Sequence, residues 1–134
     1  MPKESQPQGS MASSAIPAKA GNGTSLFHVL DPQGFEIILE IERWDHIVDG
    51  HPEIKPLFDL VKETIQTPEV VLQDECRKET HYYYRLTGRR LLRRDDLYLV
   101  AVVRRSSTEK TGTVRTAYLV KEVRKGVLVW LRRK

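Results

Sequence analysis

Beyond residue 25 the apolar positions change period twice, and each change marks a new kind of element. Leu26-Phe27-His28-Val29 and the run Phe35 to Ile41 have strand character, and Asp31-Pro32-Gln33-Gly34 between them is a turn: proline presets the turn dihedral and glycine tolerates the backbone angles that close it. The pair predicts a hairpin. Helical spacing takes over at Arg43 to Asp49 and stops at Gly50, and a longer helix is expected from Pro52, whose missing N–H is harmless at a helix start. Its apolar stripe is Ile54, Leu57, Phe58, Val61 and Ile65; Pro56 falls in or just beyond its opening turn, and Thr67-Pro68 ends it. After Pro68 the pattern is β again: a short Val70-Val71-Leu72, then Thr80 to Leu86, Leu97 to Arg104, Gly112 to Glu122 and Gly126 to Arg132. Four successive strands joined by charged, turn-like loops predict an antiparallel meander. The expected fold class is therefore α+β: an N-terminal hairpin and two helices packed on a twisted four-stranded antiparallel sheet, one domain over residues 26–134. Residues 1–25, rich in Ser, Gly, Pro, Ala and Gln, hold too few large apolar groups to offset the entropy of ordering, and a disordered tail is expected there.

Length and composition narrow this picture. The 134 residues suit one core and one site. At 40% hydrophobic and 30% charged, the chain is too apolar to be wholly disordered, and no apolar run approaches the ~20 residues of a membrane helix. A cytoplasmic location and no membrane partner are expected. The single cysteine, Cys76, excludes an internal disulfide, and a zinc site would need four scattered histidines and carboxylates, so neither metal nor cofactor is expected. The net charge of +4 hides a division. Residues 1–76 carry five Lys/Arg and thirteen Asp/Glu, net −8; residues 77–134 carry seventeen and five, net +12. So basic a half suggests a polyanion, nucleic acid before membrane, because clustered cations gain by releasing its counterions. A basic face kept for solubility is the bland alternative.

Strand alternation sharpens the chemistry. It sets Tyr82 and Tyr84 on one face against His81, Tyr83 and Arg85 on the other, and Val114, Thr116, Tyr118 and Val120 against Arg115, Ala117, Leu119 and Lys121. The face not covered by helices would then mix aromatic and cationic groups, which suits stacking on bases while neutralising phosphates; for at least two of Tyr82, Tyr83 and Tyr84 the plain reading is sheet packing. His51, Tyr84, Arg104, Arg115 and Lys121 are the candidate substrate contacts. His46 and His51 would lie roughly 140° apart on one continuous helix, a poor geometry for a shared metal. His46 follows Asp45 and precedes Asp49, and a neighbouring carboxylate favours the proton-transfer range. Cleaving RNA without metal needs a base for the 2′-hydroxyl, a donor for the leaving oxygen and cations or donors for the phosphorane. His46, Arg85, Thr116 and Tyr118 can fill those parts if the fold brings them together.

Taken in order, Trp44-Asp45-His46-Ile47, His51-Pro52-Glu53, Thr64-Ile65-Gln66-Thr67-Pro68, Tyr82-Tyr83-Tyr84-Arg85, Tyr98 to Val103 and Val114-Arg115-Thr116-Ala117-Tyr118 resemble a phage- and prokaryote-associated branch of the barnase, EndoU, colicin and RelE-like ribonuclease superfamily. The likeness spans about residues 26–131. It implies a small nuclease acting on RNA without metal, as a toxin or phage-linked effector, with an acidic antitoxin or immunity protein as partner. Carried over by position, it marks His46 as general acid or base, Arg85 as neutralising the scissile phosphate and Thr116 as orienting the phosphate or the attacking hydroxyl, with Tyr84, Tyr118 and His51 in second rank. Two further classes compete: an RNA-binding module without chemistry, which a salt-sensitive shift without product would favour, and a basic domain that docks an acidic protein.

Overall fold

The computed structural model describes residues 24–133. The tail expected over residues 1–25 lies outside the described residues as far as residue 23; at its end the expectation is corrected, since Ser25 already belongs to a strand and the Thr24 carbonyl accepts the Ile41 N–H at 2.9 Å. The order is β1 (Ser25–Leu30), β2 (Glu36–Glu40), α1 (Ile41–Gly50), a 3-10 helix (Pro52–Leu57), α2 (Phe58–Gln66), β3 (Val70–Gln73), β4 (Thr80–Leu86), β5 (Tyr98–Ser106), β6 (Thr111–Val120) and β7 (Val127–Leu131). The single long helix expected from Pro52 is thus divided. Pro56 lies inside its first part and has no N–H to give an α-helical ladder, so that part winds as 3-10 and α-helix begins at Phe58.

The expected four-stranded antiparallel sheet is also corrected. All seven strands form one mixed sheet in the order β1-β2-β6-β5-β4-β3-β7. The hairpin joins the meander because β2 runs parallel to the start of β6, Glu36 to Ile38 beside Thr111 to Thr113. Gly112 permits this approach: a Cβ there would stand 2.9 Å from Ile37 Cδ1, 3.0 Å from Val103 Cγ1 and 3.1 Å from the Arg104 carbonyl. Past that seam, α1 packs along β6 in place of a strand.

One face of the sheet is covered. Ile47 of α1, Ile54 and Leu57 of the 3-10 helix and Leu60, Val61 and Ile65 of α2 pack with Tyr83, Leu99, Ala101, Val103, Val114 and Ala117 into one core. Each such large side chain contributes roughly 1.5–3 kcal/mol by leaving water. Thr64 enters this core because its hydroxyl donates to the Leu60 carbonyl at 2.7 Å. The β1–β2 turn is pinned to the same face. Asp31 accepts the N–H groups of Gln33 and Phe35 at 2.9 and 2.8 Å, Gly34 takes the positive φ of 86°, and the Tyr83 hydroxyl donates to Asp31 Oδ2. Arg105 reaches the same carboxylate at 3.4 Å, donates to Gln33 Oε1 at 2.8 Å and lies 3.9 Å above the Phe35 ring.

A bulge corrects the expected facing of β6. Val102 pairs with Thr116 but Val103 pairs with Val114, which leaves Arg115 as an extra residue. Val114 therefore joins Ala117 and Leu119 on the covered side and does not share a face with Thr116 and Tyr118.

Candidate active site

Among the described residues no helix covers the other face of the sheet, and its residues follow from the register. Tyr82 and Tyr84 of β4 lie opposite Val102 and Val100 of β5, which in turn lie opposite Thr116 and Tyr118 of β6; Arg104 lies opposite Thr113. Leu72, Tyr84 and Val100 form a small second core beneath this surface.

At one end, beside the parallel seam, a cleft of about 330 Å³ is lined by Ile38, Glu40, Glu42, Arg43, His46, Thr113, Val114 and Arg115. Two elements build it. Glu40 ends β2 at the N-cap position of α1, and one turn on Arg43 and His46, three apart, share a helix flank. Arg115 comes from the bulge. Burial is the first cause that pushes the Arg115 pKa down; the like charges of Arg43 and Arg104 follow, and Glu40 opposes them. The charges of Arg43 and Arg104 thus both reach Arg115, and none of the three makes a hydrogen bond or ion pair with another described residue. Glu40 Oε2 is buried in the same cleft and has no hydrogen-bond partner among the described residues. His46 is exposed to solvent at its rim. Three free cations, an imidazole and an unpaired carboxylate oxygen together can hold a phosphate and move protons beside it.

At the other end the surface is aromatic. Tyr82, Tyr84 and Tyr118 line a groove walled by Asp74 and by the loop residues Glu122 to Lys125. Their tips are fixed. The Tyr82 hydroxyl donates to Asp74 Oδ1 at 2.7 Å, the Tyr84 oxygen accepts the Arg124 N–H at 3.3 Å, and Tyr118 stacks on His51 with centroids 5.2 Å apart and planes at 27°. The Asp74 hydrogen bond is the first cause that pushes Tyr82 up to about 12, while the same bond and the N–H groups of Arg77 and Cys76 hold Asp74 below the usual carboxylate range. Burial raises Tyr84.

Sequence reasoning expected His46, Arg85 and Thr116 in mutual contact, and the geometry corrects that grouping. Arg85 is on the covered side, opposite Leu99, where it donates to the Thr67 carbonyl and, at 3.1 Å, to Thr67 Oγ1, with Glu63 at 3.9 Å. It ties down the end of α2, whose last carbonyls want a cation. Thr116 and Tyr118 are on the open face; His46 and Arg115 line the cleft, and the charge of Arg104, opposite Thr113, acts on Arg115; His51 and Tyr84 stand at the aromatic end. Lys121 lies beyond β6, exposed, where its charge acts on Asp96. Glu40, Arg43, Thr113 and Tyr82 were missed as site residues. Arg43 had a readable signal, three positions before His46 on one helix, whereas Glu40 reads as an ordinary strand-end residue.

Among the described residues no group of three or more His, Cys, Asp or Glu is placed to hold a metal ion, and no helix is long and apolar enough to cross a membrane. A family model described as phage-Barnase-EndoU-ColicinE5/D-RelE like nuclease2 matches residues 18–131. Neither a curated protein nor a solved structure matches the chain.

Proposed function

The chain belongs to this phage-Barnase-EndoU-ColicinE5/D-RelE like nuclease family, and from that premise we propose that it is a metal-independent endoribonuclease whose reaction centre is the cleft between α1 and β6. What carries this reading is that Arg43 and Arg115 line the cleft without hydrogen-bonded acceptors among the described residues, with the charge of Arg104 also acting on Arg115, beside His46 and a Glu40 oxygen that has no hydrogen bond. Like charges assembled at a cost to one another make sense when a polyanion completes the site. The scissile phosphate binds the guanidiniums. Glu40 and His46 divide the proton work: one takes the 2′-hydroxyl proton as that oxygen attacks phosphorus, and the other protonates the departing 5′-oxygen, leaving a 2′,3′-cyclic phosphate. The arginines stabilise the extra charge of the phosphorane. Thr116 and Tyr118, next along the strand, border the path of the chain; Arg85 plays no part in this scheme. As a toxin or phage-linked effector the enzyme would be held in check by an acidic antitoxin or immunity protein, whose carboxylates suit the same arginines.

The test is incubation with labelled RNA and matched DNA, with and without chelator. Cutting of RNA alone, unaffected by chelator, is expected, with a drop of about 10²–10⁴-fold in His46→Ala. Cleavage of DNA, or its loss with chelator, overturns the mechanism; RNA retarded in a gel yet never cut favours a binding surface without chemistry.

A further inference from the structure

The aromatic groove has a shape that the reaction centre does not explain. Tyr82 on β4 and Tyr118 on β6 are two strands apart and two residues out of line, Tyr82 level with Thr116 and Tyr118 level with Tyr84, and between them the middle strand presents Val100 and Val102. Neighbouring strands stand about 4.8 Å apart and successive residues on one face about 6.8 Å apart, so the two tyrosines rise roughly 12 Å apart over a low valine floor. A base stacked on one ring at about 4.5 Å between centroids leaves room for the other ring to lean against its far side. The groove of about 610 Å³ is open to solvent and has room for a heterocycle and its sugar.

We infer that the slot between Tyr82 and Tyr118 takes one unpaired nucleobase of single-stranded RNA, from a nucleotide adjoining the phosphate held by Arg43, Arg104 and Arg115. The inference rests on the ribonuclease reading and adds a binding subsite to it. Three features support it. The walls are fixed before any ligand arrives: Tyr82 by Asp74 at 2.7 Å, and Tyr118 by the His51 ring against its back; little side-chain entropy is left to lose on binding. Nor is the open face uniformly aromatic. Tyrosines occupy one end and arginines the other, as a nucleotide's own halves require. Finally, Arg115 and Tyr118 are three residues apart on β6, about 10 Å at the rise of a strand, which is the reach from a phosphate to a neighbouring base. The Tyr82 phenol, pushed up to about 12 first by its Asp74 hydrogen bond, keeps its proton at neutral pH, so that wall stays uncharged. The loop Glu122 to Lys125 closes the far side with carboxylate, guanidinium and ammonium groups able to meet a base edge.

The probe is a short 2′-O-methyl RNA spanning the mapped cleavage site, bound to the full chain, with an abasic residue placed at each position in turn. One position next to the cut should lose about 10-fold in affinity, within the range for a single base–aromatic stack. Tyr82→Ala should lower affinity for the intact oligomer by a similar factor and erase the contrast between positions. Tyr82→Phe, which loses the Asp74 bond but keeps the ring, should fall between wild type and Tyr82→Ala and keep the contrast between positions. Arg104→Gln should weaken every oligomer alike and leave the contrast. An RNA that is bound and cut while the abasic series is flat overturns the slot and leaves the nuclease reading standing. An RNA neither bound nor cut overturns both. The abasic series is read on the wild-type chain, so it decides the matter even if Tyr82→Ala does not fold.

Discussion

Arg104 and Arg105 are adjacent on β5 and end in opposite circumstances. Arg105 turns to the covered side, where Asp31, Gln33, the Tyr83 hydroxyl and the Phe35 ring surround its guanidinium, although its Nε finds no partner. Arg104 turns to the open side, opposite Thr113, where its charge acts on Arg115. The same division holds across the sheet, with Arg85 bound to the end of α2 on one side and Arg115 unpaired on the other. A cation that the fold uses is given acceptors by the fold. Cations left facing each other are the residues to ask about ligands, and counting arginines cannot separate the two kinds.

The comparison can be broken by substitution, beginning with the largest effect. Arg105→Met should cost about 3–5 kcal/mol in urea unfolding, because Asp31 is left as an uncompensated buried charge; chain that remains folded should cut RNA normally, and a loss of cleavage at full stability would mean that Arg105 belongs to the site. Arg115→Gln should do the reverse. Cleavage should fall about 10²–10³-fold, as when one donor to a developing charge is removed, while the unfolding midpoint stays put or rises slightly as like-charge repulsion is relieved. A third substitution, Arg85→Gln, should remove about 1.5 kcal/mol of stability, the lower range for hydrogen bonds to a charged donor, with kcat unchanged; a collapse of kcat would return Arg85 to the chemistry.

The smallest effect belongs to His81, buried on the covered side. Burial first, and then the charge of Arg105, push its pKa below the ordinary value of 6.5, while the Glu79 carbonyl opposes them. The unfolded chain therefore takes up a proton on this imidazole before the folded chain does. Its contribution to stability is complete above pH 6.5 and is lost as the pH falls through the folded value. Unfolding midpoints followed from pH 7.5 to 5 should decline less steeply in His81→Gln than in wild type; parallel curves would remove His81 as the cause.

Much of the architecture could be read from the chain, since strand and helix periods depend on local spacing. The hairpin, the stop at Gly50, the Thr80 to Leu86 strand and the tyrosine face all emerged that way. What could not be read was long-range. Nothing near Ile37 announces a parallel partner at Gly112, and so the sheet was undercounted. The bulge has no local mark either; strict alternation carried across Arg115 put Val114 on the wrong face. The site divided along the same line. Tyr84, Tyr118 and Arg104 were found by alternation within strands, but Arg85 was expected at the phosphate because alternation says only that it opposes Tyr84, not that Thr67 awaits it. Glu40 escaped because its importance comes from an oxygen enclosed by another strand.

The parallel seam between β2 and β6 extends over only three residue pairs before α1 replaces β2 along the flank. A helix meets a strand through side chains and not through a ladder of peptide hydrogen bonds, so below that point the cleft has a wall of side chains on one side and a hydrogen-bonded strand on the other. Arg43 and His46 stand on the helical wall and Arg115 on the strand. How closely the two walls approach is set at Gly112, where one methyl group is missing.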